Sequence, residues 1–328
     1  LKQATRCCQN LESLEISTHV GWGEELDQII RELSCLKSFS PDDDRHSYEV
    51  LVHPGYLLNL ERLNLKNIFI HSGRLSQIIT AHPHLKSLRL GSVSDYGDVL
   101  SELGDAECLP GLQHLDLGFL RIYDTELYDT ELLDRIFRAH PGLRSFKIIS
   151  VDSDVLSAEE LTRVIVDASA SYHLDLESLS LPDCSFNEKH FRQIFKAYPH
   201  LKSFALRYHV GEAPSVLEDS EILPFLEKLR FDSSTSMQSE QVERICRAHP
   251  SLKSLKINYS CNILSFASVS RSIEAANRKM ATIRAMRERE RQEQLRSTCS
   301  SVMKVALPMI FVSVGMLVMA SRYFYGNF

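Results

Sequence analysis

Leucine recurs along the chain at a nearly constant interval, and each time it heads the same apolar spacing. Leu11, Leu36, Leu60, Leu85, Leu112, Leu143, Leu176, Leu201, Leu226 and Leu252 are separated by 25, 24, 25, 27, 31, 33, 25, 25 and 26 residues. Within each unit the apolar side chains fall at the first, fourth and sixth positions, as in Leu85, Leu88 and Leu90 or Leu226, Leu229 and Phe231. The fourth and sixth alternate with polar residues and so share one face of a short strand. Between these strands the apolar residues recur at helical spacing: Leu161, Val164 and Ile165, then Phe191, Ile194 and Phe195, then Val242 and Ile245. The pattern predicts ten strand–helix units with strands beginning near each leucine, all parallel and in one sheet. A single unit cannot bury its own apolar face, so the units stack into one continuous core.

The junctions between units follow a pattern of their own. "AHPHLKSLRL" from Ala81 is echoed by "AHPGLRSFKI" from Ala139, "AYPHLKSFAL" from Ala197 and "AHPSLKSLKI" from Ala248, at intervals of 58, 58 and 51. Proline cannot continue the helix that reaches it, so it redirects the chain into the next strand. Plainer junctions lie between: Leu109-Pro110, Leu223-Pro224 and the proline-free "SYHLDL" around His173. This alternation implies a duplicated two-repeat unit. The interval of 31 contains "YDTELYDTEL" from Tyr123 to Leu132, a tandem pentapeptide whose removal restores 26; an insertion of this kind is absorbed where the chain enters an outer helix. Ser157 with Glu160 has the spacing of a capping box, and Asp129, Asn187 and Ser239 stand at similar helix starts. His82, His140 and His249 are expected at helix ends, where a partly charged imidazole would suit the dipole. Neighbouring strands are about 4.8 Å apart and these histidines occupy mostly alternate units, so no common metal is expected.

Period, apolar spacing and helix-ending prolines together make residues 1–265 resemble the leucine-rich repeat family, in the irregular form of ribonuclease-inhibitor-like and F-box leucine-rich-repeat proteins. The resemblance implies an α/β solenoid with a curved parallel sheet inside and helices outside. The family's usual Asn or Cys just past the strand occurs only as Cys184 in "LESLSLPDCSF"; elsewhere that place holds residues such as Val93, His209 and Ser260. "CCQNLESLEI" matches the end of a helix leading into a strand, so the solenoid is expected to be incomplete at its N-terminus, and no F-box lies within the chain.

Composition narrows the function. The 328 residues are 44% hydrophobic and 24% charged, with a net charge of −6 that argues against a nucleic-acid binder. Eight cysteines occur without a C-x-x-C pair, which favours reduced thiols in the cytosol; against this stands one Asn258-Tyr259-Ser260 triplet. There is no phosphate-cradling G-x-x-x-x-G-K, H-E-x-x-H, G-x-S-x-G or zinc-spaced cysteine set, and "GWGEEL" at Gly21 and Gly23 reads as a turn. No enzyme, catalytic residue, metal or cofactor is expected. The candidate binding residues are therefore the polar strand positions on the inner face: Arg89, Asp116, Lys147, Arg207, Lys228, Arg230 and Lys256. Serine fills the first inward position in seven of ten repeats, whereas the second is often basic, which points to an acidic protein partner.

The last stretch departs from the repeats. Residues 266–301 read as a charged amphipathic linker helix with Ile273, Ala276, Met280 and Ile283 on one side. Residues 302–322 read as a transmembrane helix and 323–328 as a short tail. Its core, Val305 to Ser321, is 17 residues without a charge, flanked by Lys304 and Arg322, and rises about 25 Å as a helix, enough for a thin bilayer. Seven Lys/Arg and three Glu between Arg278 and Arg296 place the repeats on the cytosolic side. The expected protein is thus a tail-anchored adaptor of the endoplasmic reticulum or mitochondrial outer membrane, binding protein through the concave face. Two alternatives remain open. One is the substrate-recognition part of an F-box-type receptor, which would meet a ubiquitin-ligase core only if an F-box lies upstream. The other is a single-pass extracellular receptor, which would need disulfides and a glycan at Asn258.

Overall fold

Each predicted strand forms, and each begins two residues after its leucine. The computed structural model describes residues 10–16, 24–41, 47–70, 72–93, 96–105, 107–120, 130–151, 157–182, 184–207, 213–233 and 239–259, with single positions between 278 and 293. The strands are β1 (Ser13–Glu15), β2 (Ser38–Ser40), β3 (Arg62–Ile70), β4 (Ser87–Val93), β5 (His114–Leu120), β6 (Ser145–Val151), β7 (Ser178–Leu181), β8 (Ser203–Arg207), β9 (Lys228–Ser233) and β10 (Ser254–Tyr259). They pair in chain order as one ten-stranded parallel sheet. The fourth residues of the repeats stand side by side: Leu63, Leu88, Leu115, Phe146, Leu179, Phe204, Leu229 and Leu255 are register partners in sequence. All are buried, as are sixth-position residues such as Leu65, Leu90, Leu117 and Ile148.

The helices cover that apolar face. Leu75, Ile78 and Ile79, then Leu133, Ile136 and Phe137, then Phe191, Ile194 and Phe195 are buried at three-to-four-residue spacing, and the polar residues between them are not. Where the strand carries phenylalanine, the rings meet edge to face: Phe137 with Phe146 at 4.8 Å and Phe195 with Phe204 at 5.0 Å. Each such side chain contributes about 1.5–3 kcal/mol of burial, so the first, fourth and sixth positions hold the sheet to its helices. Ser157 and Asn187 cap their helices as capping boxes, the first with Glu160 and the second with His190 in the acidic residue's place. Asp129 and most of the duplicated pentapeptide lie outside the described residues; Thr130–Leu132 form the first turn of the helix Thr130–Ala139.

The two-repeat period is physical. The helices that end in Ala-(His/Tyr)-Pro, Ser72–Ala81, Thr130–Ala139, Glu188–Ala197 and Ser239–Ala248, are each 10 residues long. They alternate with helices of unequal length, Ser47–Val52, Tyr96–Leu103, Ala158–Tyr172 and Ala213–Leu217. The aromatic residue before each proline reaches back to the helix of the preceding unit. His82 Nε2 lies 2.8 Å from the Leu51 carbonyl, His140 Nε2 2.7 Å from that of Leu103 and His249 Nε2 2.8 Å from that of Leu217. Tyr198 takes the same role, its hydroxyl donating to the Ile165 carbonyl at 2.6 Å, while Ser169 Oγ donates in return to Ala197 O at 2.9 Å.

The expectation of partly charged histidines is corrected here. All three are buried, and burial lowers their pKa below the ordinary value of 6.5. A carbonyl only accepts, so each ring carries a proton on Nε2, and burial favours its neutral form. These residues fasten one unit to the next, and no group of three metal-binding side chains occurs among the described residues.

A second two-repeat device runs along the rim, at the residue after each leading leucine. The row reads Glu12, Lys37, Glu61, Lys86, Gln113, Arg144, Glu177, Lys202, Glu227, Lys253. Signs alternate at every rung but one, and neighbours pair: Lys37–Glu12 at 2.7 Å, Lys86–Glu61 at 2.7 Å, Lys202–Glu177 at 2.8 Å, Lys253–Glu227 at 2.7 Å and Arg144–Glu177 at 3.4 Å. The backbone closes the same rungs, as where Gln113 N donates to Lys86 O and Arg144 N to Gln113 O, each at 2.8 Å.

The chain divides into two units, Leu1–Phe266 and Ala267–Phe328. In the second, the described positions Arg278, Thr282, Ala285, Met286, Glu288, Arg289, Gln292 and Glu293 are helical and exposed. The expected transmembrane helix at 302–322 and the tail at 323–328 lie outside the described residues. Among the described residues no helix is long and apolar enough to cross a membrane.

Candidate protein-interaction face

The third and fifth positions of each repeat point away from the helices and form an open sheet face. Strand alternation puts them there: with Leu88 and Leu90 buried, Ser87 and Arg89 turn outward. The fifth-position row runs Glu15, Ser40, Asn64, Arg89, Asp116, Lys147, Ser180, Ala205, Arg230 and Lys256 across the ten strands. Five of the seven candidate residues lie in this one row. Lys228 stands in the adjoining third-position row, between Ser203 and Ser254. Arg207 ends β8 opposite Asp232 in register; its side chain lies outside the described residues.

The structure separates the candidates into two groups. Arg89, Asp116 and Lys147 occupy successive strands, and both cations hold one carboxylate oxygen: Arg89 Nε is 2.8 Å and Lys147 Nζ 2.6 Å from Asp116 Oδ2. The Asp116 side chain is only 15% exposed, against 25% for Lys147 and 37% for Arg89, so both cations are tied to a carboxylate largely withdrawn from water. Arg89 and Lys147 therefore do not belong to a continuous basic strip, which corrects the picture drawn from residue types alone. The spacing of these residues in sequence, 27 and 31, hides the contact, although matching positions in adjacent repeats could have suggested it.

At the C-terminal end the face differs. Lys228, Arg230 and Lys256 on β9 and β10 are all exposed, with Arg230 and Lys256 register partners. Among the described residues Lys228 and Lys256 have no ion pair. The strands before them carry small side chains: Ser178 and Ser180 on β7, Ser203 and Ala205 on β8. Ser180 is 6% exposed and its hydroxyl has no hydrogen-bond partner among the described residues. The open face thus carries one acid, Glu15, and one cation, Arg62, among neutral side chains over β1 to β3, is internally paired over β4 to β6, small and neutral over β7 and β8, and cationic over β9 and β10. The four described cysteines, Cys35, Cys108, Cys184 and Cys246, are free thiols.

Comparison with known proteins bears on the fold. No protein-family model matches the chain. A curated relative, the BTB/POZ domain-containing protein FBL11 of Arabidopsis thaliana, is 24% identical over 266 residues, covering 76% of this chain and 26% of the relative. The chain therefore spans about a quarter of that protein's length. The solved leucine-rich repeat-containing protein LegL7 from Legionella pneumophila is 18% identical, with a TM-score of 0.51 over 82% of this chain and 90% of LegL7. A structure of the TLR13–ssRNA13 complex aligns at 16% identity over 75% of this chain and 45% of that one, with a TM-score of 0.28 that carries no argument. The repeat spacing, the ten parallel strands in chain order and the likeness to LegL7 give this chain a leucine-rich-repeat fold.

Proposed function

We propose that the repeat unit is a non-catalytic protein-binding scaffold whose open face holds an acidic partner surface over its last strands. The observation that carries this reading is the exposed group of Lys228, Arg230 and Lys256 beside the small side chains of β7 and β8. A protein of net charge −6 that gathers cations on one face offers a partner a specific electrostatic match, which sets encounter rate and specificity more than affinity. The scaffold is tethered to the endoplasmic reticulum or mitochondrial outer membrane through Val305–Ser321, with the repeats in the cytosol; the uncharged run and the basic segment before it support this. Fluorescence anisotropy with a labelled poly-glutamate peptide tests the face. Binding should weaken with salt and be lost in the double variant Lys228→Glu/Lys256→Glu. Equal binding by that variant, or tighter binding of single-stranded RNA than of the peptide, would remove the reading.

The likeness to FBL11 favours a second reading, the substrate-binding part of a larger F-box-type ubiquitin-ligase receptor, since the match covers 76% of this chain but 26% of that relative. It requires a ligase-docking module outside residues 1–328. An upstream reading frame without an apolar three-helix module would exclude it.

A further inference from the structure

The rim of the fifth and sixth repeats is built differently from the rest, in three independent respects. The first is glycine. Gly91 and Gly118 have an internal reason to lack a side chain: a Cβ there would collide with the carbonyls of Lys66 and Gly91 in the preceding strand. Gly111 and Gly142 have none. A Cβ at either would meet nothing within 4 Å, and neither backbone is in the left-handed region. Glycine costs conformational entropy on folding, and here two neighbouring repeats accept that cost at the same place without a conformational or packing need. Gly73 would also meet nothing, but it stands in the first turn of its helix, whereas Gly111 and Gly142 each follow a proline at matching places in adjacent repeats.

The second is the ion-pair ladder. Its one uncharged rung is Gln113, where the alternation calls for an acid like Glu12, Glu61, Glu177 and Glu227. The rungs on either side are cations, Lys86 and Arg144. Lys86 is held by Glu61 at 2.7 Å. Among the described residues Arg144 is ion-paired only through the longer 3.4 Å contact to Glu177, which is already engaged by Lys202 at 2.8 Å, and its side chain is 61% exposed. The ladder therefore carries a surplus positive charge at this gap. The third is shape: a cleft of about 410 Å³ opens here, floored by Pro110, Gly111, Pro141 and Gly142 and bordered by Gln113 and Arg144. Asp175 and Glu177 close its far wall in the next repeat, so an anion is favoured on the Gln113 side, between the two cationic rungs.

We infer that this rim cleft is a docking site for an extended segment of a partner protein that runs over Gly111 and Gly142 and places a carboxylate side chain at the Gln113 rung. The partner's acid completes the ladder between Lys86 and Arg144, and the two glycines let its backbone come close. This site is separate from the open face of β9 and β10 and does not depend on it.

A random-peptide phage library panned in detergent micelles on the full chain carrying Lys228→Glu/Lys256→Glu, so that acidic peptides held by the open face are not selected, tests the site. Enriched peptides should be rich in Asp and Glu. A synthesised representative should bind the Gln113→Glu variant, which supplies the carboxylate from within, at least about tenfold more weakly. Gly142→Leu should do the same by filling the cleft, with both variants retaining the parent's thermal midpoint. Gln113→Glu and Gly142→Leu are made in this same background, which serves as the parent. Peptides that bind Gln113→Glu as well as the parent, or no acidic enrichment, would overturn the inference. Acidic peptides enriched on the unsubstituted chain but not on Lys228→Glu/Lys256→Glu would overturn it too while leaving the open-face scaffold intact.

Discussion

At the residue scale the decisive question is which side chains have somewhere else to go. Leu88 is fully buried, so Leu88→Ala should cost about 2–5 kcal/mol, the lost transfer energy plus a cavity. Arg89, the next residue, is 37% exposed in an ion pair whose acid keeps Lys147, and Arg89→Ala should cost under about 1 kcal/mol. Urea-unfolding midpoints of the two variants check the assignment of inside and outside. The junction aromatics differ in the same way. His140 serves the Leu103 carbonyl at a helix end, where no helical donor follows, so His140→Phe leaves a buried acceptor unpaired at about 1–3 kcal/mol. Tyr198→Phe removes a bond to Ile165 O in the middle of a helix and should cost about 0.5–1.5 kcal/mol.

The same histidines set a pH dependence. Folding holds His82, His140 and His249 below their ordinary value of 6.5, chiefly through burial. Above that value neither folded nor unfolded chain binds the protons, and stability is complete. Below it the unfolded chain binds protons that the folded one cannot, so stability falls as pH falls toward the depressed folded values. The rim carboxylates Glu61, Glu177 and Glu227 are also depressed, by their lysine partners first, but they act only below the ordinary 4.5. Thermal midpoints should therefore begin to drop just below pH 6.5, well before the carboxylates titrate. A midpoint that stays flat down to pH 5 would show that the three rings are not held neutral.

At the scale of elements, helices are placed by their ends and strands by their alternation. The capping box of Ala158–Tyr172 satisfies the Glu160 and Ser157 amides reciprocally. Ser157→Ala should cost about 0.5–2 kcal/mol, read as a lowered thermal midpoint with the strand signal unchanged. The helix ends at His173 in the left-handed region, with Leu174 buried where other junctions carry proline. A left-handed residue recurs at the matching places Leu57 and Leu223, the latter directly before Pro224, so this turn forms with or without proline, a detail that composition does not disclose.

At the scale of the molecule, the repeats and the proposed membrane segment, Val305–Ser321, make separable predictions. Asp at Val312 and Val314 should each add about 2.5–3.5 kcal/mol to insertion, enough to abolish anchoring of a 17-residue uncharged run. Flotation of the full chain with lipid vesicles should lose the double variant while its circular dichroism persists. Co-flotation of the variant at the parent's level would remove the tether.

The fold was legible in the chain to a high degree. Ten leucines at a near-constant interval, with apolar residues at the first, fourth and sixth positions, determined where the strands begin, which faces are buried and the parallel order of the sheet, because these follow from local periodicity and from the need of each unit to cover its neighbour. The alternating rim charges were equally present in the sequence, one residue past each leucine, but their meaning depends on repeats lying side by side. Only the tertiary structure decided what that adjacency does to charge. It brought Asp116 between Arg89 and Lys147 and so withdrew two cations from the candidate strip, it buried His82, His140 and His249 against the preceding helix and lowered their pKa, and it left the rim at Gly111 and Gly142 open. Residue type and spacing specify which units stack, whereas the charge a side chain carries and the partner it meets depend on distances across the stack, which no stretch of chain contains by itself.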